Sequence, residues 1–260
     1  MTPAIWSEEF EIRSYLTDFR GNASIQTLCR FFQEAAGNHA RNMGFALDQL
    51  QAEGKTWVLS RFHIQVQRYP RWREHVRIET WPSGSIGFYA VRDFYLYNQQ
   101  NQRLASASSI WLILDLNRKT PLRIPQALVD MNVTDRDRAI ADRFDTLWRP
   151  EQGSALTRMF EKSFVARKSD VDLNRHVNNV SYVEWAVETV PDDVWRTHLL
   201  TEIEVSFRAE TLYGDAILSQ SDQVKEARQQ VFRHRIVRES DQTEMFLART
   251  RWNRIEDEQG

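Results

Sequence analysis

The hydrophobic and polar positions in the first part of the chain follow two different periods. Between residues 24 and 42, apolar side chains recur every three or four positions, which is the spacing of a helix with one buried face. That row consists of Ile25, Leu28, Phe32, Ala35, His39 and Met43. Around this helix the chain is rich in aromatic and β-branched residues with partial alternation, which predicts strands. The predicted strands cover residues 10–16, 57–69, 76–81, 88–98 and 105–116.

A second run of the same kind follows in the second part of the chain. Its pattern predicts a strand at 156–167, a helix at 178–190, and strands at 199–208, 216–225, 229–238 and 245–252. Because one strand, one helix and four strands occur twice in this order, the sequence predicts an internal repeat. We expect a first half at 1–117, a second half at 154–260, and between them a linker at 118–153 with room for a short helix at 127–148.

One offset of 154 residues aligns the polar positions that precede the two helices. The pairs are Asp18 with Asp172, Arg20 with Asn174, and Asn22 with His176. Beyond the helices the offset changes, and our alignment places Pro70 opposite Glu210. Only the second half therefore holds the full polar set, and we expect one active site per chain.

The composition narrows the class of protein further. The 260 residues carry a formal net charge of −2, which argues against a globally basic nucleic-acid binder. The single cysteine, Cys29, allows no disulfide, and within its helical pattern it reads as a small buried hydrophobe rather than a nucleophile. No leader-like N-terminus and no uncharged apolar run of membrane-spanning length occur, so we expect no membrane and a cytoplasmic location. The sequence has no Cys and His residues at the spacing of metal ligands, so no metal is expected. It also has no phosphate-binding glycine loop, so no nucleotide cofactor is expected.

The segment before the second helix holds the candidate chemistry. Asp172, Asn174 and His176 stand at alternate positions, and in an extended segment their side chains would point to one side. Either Asn178 or Asn179 is a suitable helix N-cap. The unpaired N–H groups of a helix start can stabilise a carbonyl oxygen that gains negative charge. The pattern favours a hydrolytic site.

Seven segments distributed along both halves resemble the acyl-acyl-carrier-protein (acyl-ACP) thioesterases of plant plastids and bacteria. They are Ile12-Arg-Ser-Tyr15, Ala23-Ser-Ile-Gln-Thr-Leu28, Gln33-Glu-Ala-Ala-Gly-Asn-His39, Arg68-Tyr-Pro-Arg-Trp72, Ala107-Ser-Ser-Ile-Trp111, Asp172-Leu-Asn-Arg-His-Val-Asn-Asn179 and Phe207-Arg-Ala-Glu-Thr211. The resemblance implies an α+β double hot-dog fold, in which each half is a long helix wrapped by an antiparallel sheet. It also implies a hydrolase that releases free fatty acids from acyl-ACP in fatty acid biosynthesis.

The same resemblance assigns roles to four residues. Glu210 matches the family's catalytic Glu and would activate water. His176 would hold that water or protonate the leaving thiolate, while Asn174 would orient the water or Glu210. Asp172 would be an orienting partner or a carboxylate near the helix N-terminus. Plant relatives often have Cys directly after the catalytic Glu where this chain has Thr211, so a thiolate nucleophile is excluded there. Water attack is favoured over a transient anhydride on Glu210.

The resemblance also places the acyl chain mainly in the first half and makes an acidic carrier protein with a phosphopantetheine-linked acyl group the expected partner. Two basic clusters could receive it. The cluster in the first half consists of Arg68, Arg71, Arg73 and Arg77, and the cluster in the second half consists of Arg167, Lys168 and Arg175. Two other functions stay open, namely an acyl-coenzyme A thioesterase and a catalytically silent acyl-binding protein. A hot-dog hydratase is disfavoured, since such enzymes favour Asp-x-Asn-Pro-x-His, whereas Asn174 and His176 are only two positions apart here with no Pro between them. Homodimerisation also stays open.

Overall fold

The computed structural model describes residues 4–133, 135–141, 159–226 and 229–255. It divides into two compact units, Met1–Asp142 and Arg143–Gly260. Each unit contains a helix and its own antiparallel strands.

The first unit pairs its strands in the order β1-β3-β4-β5-β2, with a short β6 beside β5. All of these pairings are antiparallel. The strands are β1 (Trp6–Glu11), β2 (Lys55–Val66), β3 (His75–Ile86), β4 (Tyr89–Asn98), β5 (Arg103–Asp115) and β6 (Thr120–Leu122). The helices are α1 (Ile25–Asn42), α2 (Leu47–Ala52) and α3 (Gln126–Val129).

Helix α1 forms the core of this unit, and its predicted position is confirmed. The Ser24 hydroxyl caps its start by accepting the Thr27 N–H at 3.2 Å. Every residue of the predicted apolar row is buried. Phe32 at its centre contacts the rings of Phe62 on β2 and Phe94 on β4. The period of the sequence therefore identified the face that packs on the sheet.

The predicted strand at 10–16 is wrong at its C-terminal end. Strand β1 ends at Glu11, and Ser14–Leu16 forms a single 3-10 turn. Between them the Ile12 N–H donates to the carbonyl of Glu74, just before β3, at 2.9 Å. The turn redirects the chain towards α1, which the apolar pattern of this stretch did not reveal.

Part of the segment predicted as a linker packs on the first unit. Ile124 and Leu128 join a buried cluster with Met43, Leu50 and Ile113. Further along, the Arg138 Nε donates to the buried Asp93 carboxylate at 2.7 Å. Residues 142–153 of the predicted linker, and residues 154–158 after it, lie outside the described residues.

The second unit pairs its strands in the order β8-β11-β10-β9-β7, again all antiparallel. The strands are β7 (Met159–Val165), β8 (His198–Phe207), β9 (Ala216–Lys225), β10 (Gln230–Arg238) and β11 (Glu244–Arg254), and the helices are α4 (Asn179–Val187) and α5 (Asp192–Thr197). Read from its other end, the order β7-β9-β10-β11-β8 matches β1-β3-β4-β5-β2 of the first unit strand by strand, so the predicted internal repeat is confirmed.

Helix α4 is shorter than predicted. It ends at Val187 rather than at residue 190, and the Thr189 hydroxyl donates to the Ala186 carbonyl at 2.7 Å. Pro191 follows, and a proline disfavours helical backbone in the residue before it. Tyr182 and Trp185 on the buried side of α4 pack against aromatic rings of the second sheet. No helix in the described ranges is long and apolar enough to cross a membrane.

Candidate active site

The segment between Val171 and Val177 is a closed turn. These two valines form an antiparallel bridge, and the Asp172 N–H donates to the His176 carbonyl at 2.9 Å. Arg175 closes the turn with a φ of 64°, in the left-handed region. The predicted extended segment is therefore wrong, and side-chain alternation is not what groups its polar residues.

Asp172 stabilises this turn through backbone groups. Its Oδ1 accepts the Asn174 N–H at 2.8 Å, and the His176 N–H also hydrogen-bonds to the carboxylate. Burial raises the pKa of Asp172, and the donors from Asn174, side chain included, together with nearby His176 act in the opposite direction. Asp172 thus fixes the backbone that carries His176, and Asn174 donates to that same carboxylate.

Glu210 lies just after β8, far in sequence from the turn that carries His176. Its Oε2 lies 3.3 Å from His176 Nε2. The Val177 N–H donates to the Thr211 carbonyl at 3.0 Å, which ties the two segments together. Both side chains remain accessible, with 49% of Glu210 and 32% of His176 exposed. The site therefore places a carboxylate and an imidazole within reach of each other and of an incoming molecule.

The start of α4 is capped by its own residue. Asn178 Oδ1 accepts the Val180 N–H at 2.8 Å and the Asn178 carbonyl accepts the Ser181 N–H at 2.9 Å. Asn178 is therefore the N-cap, which decides between the two candidates. These bonds use two of the first-turn amides, so the helix start offers fewer oxyanion donors than expected, with the Asn179 N–H the one that neither bond uses.

Thiol chemistry has no suitable group here. Cys29 is buried in α1, and burial raises its pKa to about 12, so the thiol stays protonated near neutrality. Thr211, next to Glu210, is fully buried. Within the described residues, no group of three or more His, Cys, Asp or Glu side chains could hold a metal ion.

The first unit contains the same turn, displaced by 154 residues. Thr17 and Ala23 form the equivalent bridge, and the Asp18 N–H donates to the Asn22 carbonyl at 2.7 Å. Gly21, with a φ of 78°, takes the place of Arg175. The predicted pairing of the polar positions is therefore a structural equivalence.

Our second alignment was wrong by one residue. The Ala23 N–H donates to the Pro70 carbonyl at 2.8 Å, just as the Val177 N–H donates to the Thr211 carbonyl. Pro70 is thus equivalent to Thr211, and Tyr69 is equivalent to Glu210. Tyr69 is only 8% exposed, and burial raises the pKa of its hydroxyl. A buried phenol in the first unit occupies the position of the accessible carboxylate in the second.

Two further side chains at this site were missed in the sequence. Tyr182 and Arg238 each bind the backbone beside Glu210. Tyr182 lies among the apolar residues of α4 and looks like one more core aromatic, and Arg238 ends a strand without any pattern that distinguishes it from the other arginines of the chain.

Two family models match this chain, one for each unit. The acyl-ACP thioesterase N-terminal domain matches residues 3–131, and the acyl-ACP thioesterase C-terminal domain matches residues 153–254. The chain belongs to the acyl-ACP thioesterase family. The oleoyl-acyl carrier protein thioesterase of Coriandrum sativum is 28% identical over 233 residues, which are 82% of this chain and 61% of that protein. The chain thus spans about three fifths of the length of the curated plant relatives it matches.

Solved structures of the family share the fold. A protein assigned as an oleoyl thioesterase from Lactobacillus plantarum has a TM-score of 0.86 and 26% identity, over 97% of both chains. The 12:0-ACP thioesterase from Umbellularia californica has a TM-score of 0.86 and 24% identity, over 98% of this chain and 96% of that one. The expected α+β double hot-dog fold is confirmed.

Proposed function

We propose that this acyl-ACP thioesterase family member hydrolyses the thioester between a fatty acyl group and acyl carrier protein and releases the free fatty acid for lipid metabolism. The observation that carries the proposal is the pairing of Glu210 Oε2 with His176 Nε2 at 3.3 Å on an accessible surface of the second unit. Thioester hydrolysis needs a general base for water and a group that manages the leaving thiolate, and these two side chains are suited to both tasks.

In the proposed reaction, Glu210 accepts a proton from a water molecule as the water oxygen attacks the thioester carbonyl carbon. The carbon–sulfur bond then breaks, and the electron pair leaves with the sulfur of the carrier's phosphopantetheine arm. His176 holds the water or acts as the acid, and in either case the proton that Glu210 took from the water passes on to the thiolate, which returns Glu210 to its carboxylate form. The products are one carboxylic acid and one carrier thiol, so atoms and protons balance.

The other two residues support this pair. Asp172 holds the turn that presents His176, and Asn174 is bound to Asp172 through its backbone N–H at 2.8 Å. We assign Asn174 the orientation of water or of Glu210 because an amide can donate and accept at once. The Asn179 N–H is our candidate donor to the oxyanion.

Direct attack by water is the mechanism we favour. The residue after Glu210 is a threonine, and the single thiol of the chain is buried in the first unit. A mixed anhydride on Glu210 would place the same carboxylate in the role of nucleophile. Hydrolysis in ¹⁸O-labelled water under single turnover tests this. Direct attack puts one labelled oxygen in the acid, whereas an anhydride opened at the Glu210 carbonyl carbon gives an acid without label and leaves the label on Glu210.

We infer that the partner is an acidic carrier protein and that the acyl chain lies mainly in the first half. Around the second-unit site, Arg167 is paired with Asp170 at 2.9 Å, whereas Lys168 lies 5.8 Å from the Tyr213 ring and Arg175 is exposed. The latter two are the cations of the predicted cluster that we expect to meet carrier carboxylates.

The test is a parallel assay of the protein with one acyl chain on two carriers. We expect kcat/KM on acyl-ACP to exceed that on the matched acyl-coenzyme A. A preference for coenzyme A would overturn the carrier assignment, hydration of an enoyl thioester would indicate a hydratase, and tight acyl-ACP binding without turnover would indicate a silent acyl-binding protein.

A further inference from the structure

The hydroxyl group of Tyr182 hydrogen-bonds to the peptide segment that carries Glu210. The Thr211 N–H donates to Tyr182 Oη at 2.9 Å, and Tyr182 Oη in turn donates to the Ala209 carbonyl at 3.5 Å. One phenol thus bridges the residues on both sides of Glu210.

A second group holds the same segment from the end of β10. Arg238 Nη2 donates to the Glu210 carbonyl at 2.8 Å. The guanidinium is itself restrained, since it lies 3.1 Å from the Asp241 carboxylate and 3.4 Å from the Asp215 carboxylate. Neither Tyr182 nor Arg238 uses the reactive carboxylate of Glu210 in these contacts. Tyr182 binds the backbone of the two neighbouring residues, Arg238 binds the Glu210 carbonyl, and the Glu210 side chain stays accessible.

Tyr182 is rigid and stays protonated. It is 2% exposed and packs between Trp185, Phe207 and Phe246, with ring centroids 5.5 to 5.9 Å away. Burial raises the pKa of its hydroxyl, so the group can donate and accept throughout the physiological range. The Tyr182 phenol therefore holds the Glu210 segment in a fixed position relative to α4.

The first unit shows that these contacts are not required to form the loop. There the Gln67 N–H donates to the Leu104 carbonyl at 2.9 Å, as the Arg208 N–H donates to the Met245 carbonyl at 2.9 Å in the second unit. The loop is the same, yet Leu28 stands where the second unit has Tyr182.

The position of Arg238 differs in the same way. The equivalent Asn98 caps its own hairpin by accepting the Gln102 N–H at 2.9 Å. In the first unit the Tyr69 carbonyl, which is equivalent to that of Glu210, accepts a longer bond of 3.4 Å from Arg68 Nη1 in its own segment. The contacts that Tyr182 and Arg238 make from outside the segment are thus found, among the described residues, in the unit that has Glu210, which points to a role connected with that residue.

We propose that Tyr182 and Arg238 are positioning residues that keep Glu210 at reacting distance from His176. This inference rests on the proposed function, because position matters only if Glu210 acts on substrate. An error of about 1 Å in a reacting group can lower a rate by roughly 100-fold. We expect a smaller effect for each residue alone, because each supplies only part of the restraint.

The test compares Tyr182→Phe and Arg238→Met with matched controls. Tyr95→Phe removes a phenol hydroxyl from the first unit, and Arg235→Met removes an ion pair with Glu244 from the same strand as Arg238. We expect about a 10-fold loss of kcat in Tyr182→Phe and Arg238→Met, with KM within about 2-fold, and little change in the controls. Arg238→Lys should recover part of the loss.

A double-mutant cycle decides between positioning and general damage. In a Glu210→Gln background, Tyr182→Phe should lower the residual turnover no further, because the residue it positions no longer acts. An equal loss in both backgrounds, or full turnover in Tyr182→Phe, would overturn the inference.

A readout that needs no activity separates this inference from the proposed function. Amide hydrogen exchange at Thr211 should accelerate in Tyr182→Phe and stay unchanged in Tyr95→Phe. Unchanged exchange at Thr211 would refute the restraint itself. A wild-type protein that hydrolyses no acyl thioester, but shows faster exchange in Tyr182→Phe, would refute the proposed function and leave the restraint established.

Discussion

The turn before α1 and the turn before α4 have one backbone and two chemistries. In both, an aspartate accepts two backbone N–H groups and a left-handed residue closes the turn. Two positions after that residue, a backbone N–H donates to the segment that follows a long strand. In the first unit, Arg20 lies 3.2 Å from the Asp18 carboxylate and a buried Tyr69 occupies the facing position. In the second unit those two positions hold Asn174 and Glu210. The loop is therefore a structural feature of both repeats, and the two turns differ in the few side chains that face them, which in the second unit are the ones we propose to be catalytic.

Removal of the Glu210 carboxylate, which the first unit lacks at the equivalent position, should have the largest effect on turnover. Glu210→Gln should lower kcat by roughly 10²- to 10⁴-fold, the usual contribution of a general base. Single-turnover hydrolysis of acyl-ACP measures this loss. Glu188→Gln, which removes an exposed glutamate of the same unit, is the control and should retain turnover. Comparable rates in the two variants would show that Glu210 is not the base.

Placing each of the equivalent residues Tyr69 and Glu210 at the position of the other tests, through the free energy of unfolding, how differently the two positions are buried. Tyr69→Glu places a carboxyl at a position that is only 8% exposed and should lower the free energy of unfolding by about 3 kcal/mol. Glu210→Tyr changes a half-exposed position and should alter it by less than about 0.5 kcal/mol. Denaturant titrations at pH 7 measure both. Equal losses would mean that the two positions are equally buried in solution, contrary to the structure.

A buried histidine gives the second unit an acid sensitivity that the first lacks at the equivalent strand position, Phe94. Burial lowers the pKa of His234 from 6.5 to about 3, and its Nε2 is within 2.8 Å of the Thr250 hydroxyl. Below pH 6.5 the unfolded chain takes up a proton that the folded chain refuses until about pH 3, so the stability from neutral burial is lost as pH falls through this window.

The measurement is the unfolding free energy of wild type and His234→Phe at two pH values. Between pH 6.5 and 5.5 the wild type should lose about 1 kcal/mol more than the variant. Identical pH dependence in the two proteins would contradict the depressed pKa.

The smallest expected effect concerns what the two turns share. Asp18→Ala and Asp172→Ala each remove an acceptor of backbone N–H groups and should each lower the unfolding free energy by about 1 kcal/mol. Only Asp172→Ala should also reduce kcat, by about 10-fold, because only that turn carries His176. A loss of turnover in Asp18→Ala as large as that in Asp172→Ala would refute the division between the units.

Much of the fold could be predicted because periodicity reports burial directly. The row from Ile25 to Met43 placed α1 to within one residue at its start, and β9 matches its predicted bounds of 216–225. The failures came where hydrogen bonding replaces burial as the cause of structure. The 3-10 turn at Ser14–Leu16 and the closed turn at Asp172 depend on local backbone and side-chain hydrogen bonds that leave no periodic signal.

The candidate site was predictable only in part for the same reason. Asp172 and His176 lie close in sequence, whereas Glu210 reaches His176 through the packing of a strand, and only family resemblance pointed to it. The equivalence of Tyr69 with Glu210 needed hydrogen-bond partners, since an alignment with few identities could not fix the register. Tyr182 and Arg238 act through backbone contacts that residue type alone does not encode.

The most direct test of the central claim, that the second unit alone carries the reaction centre, substitutes equivalent residues in the two turns. Steady-state hydrolysis of acyl-ACP should be compared for Asn22→Ala and His176→Ala, with thermal unfolding of each as the control for folding. We predict turnover within about 2-fold of wild type for Asn22→Ala and a loss of roughly 100-fold for His176→Ala. Equal losses in the two variants, or no loss in His176→Ala, would contradict it.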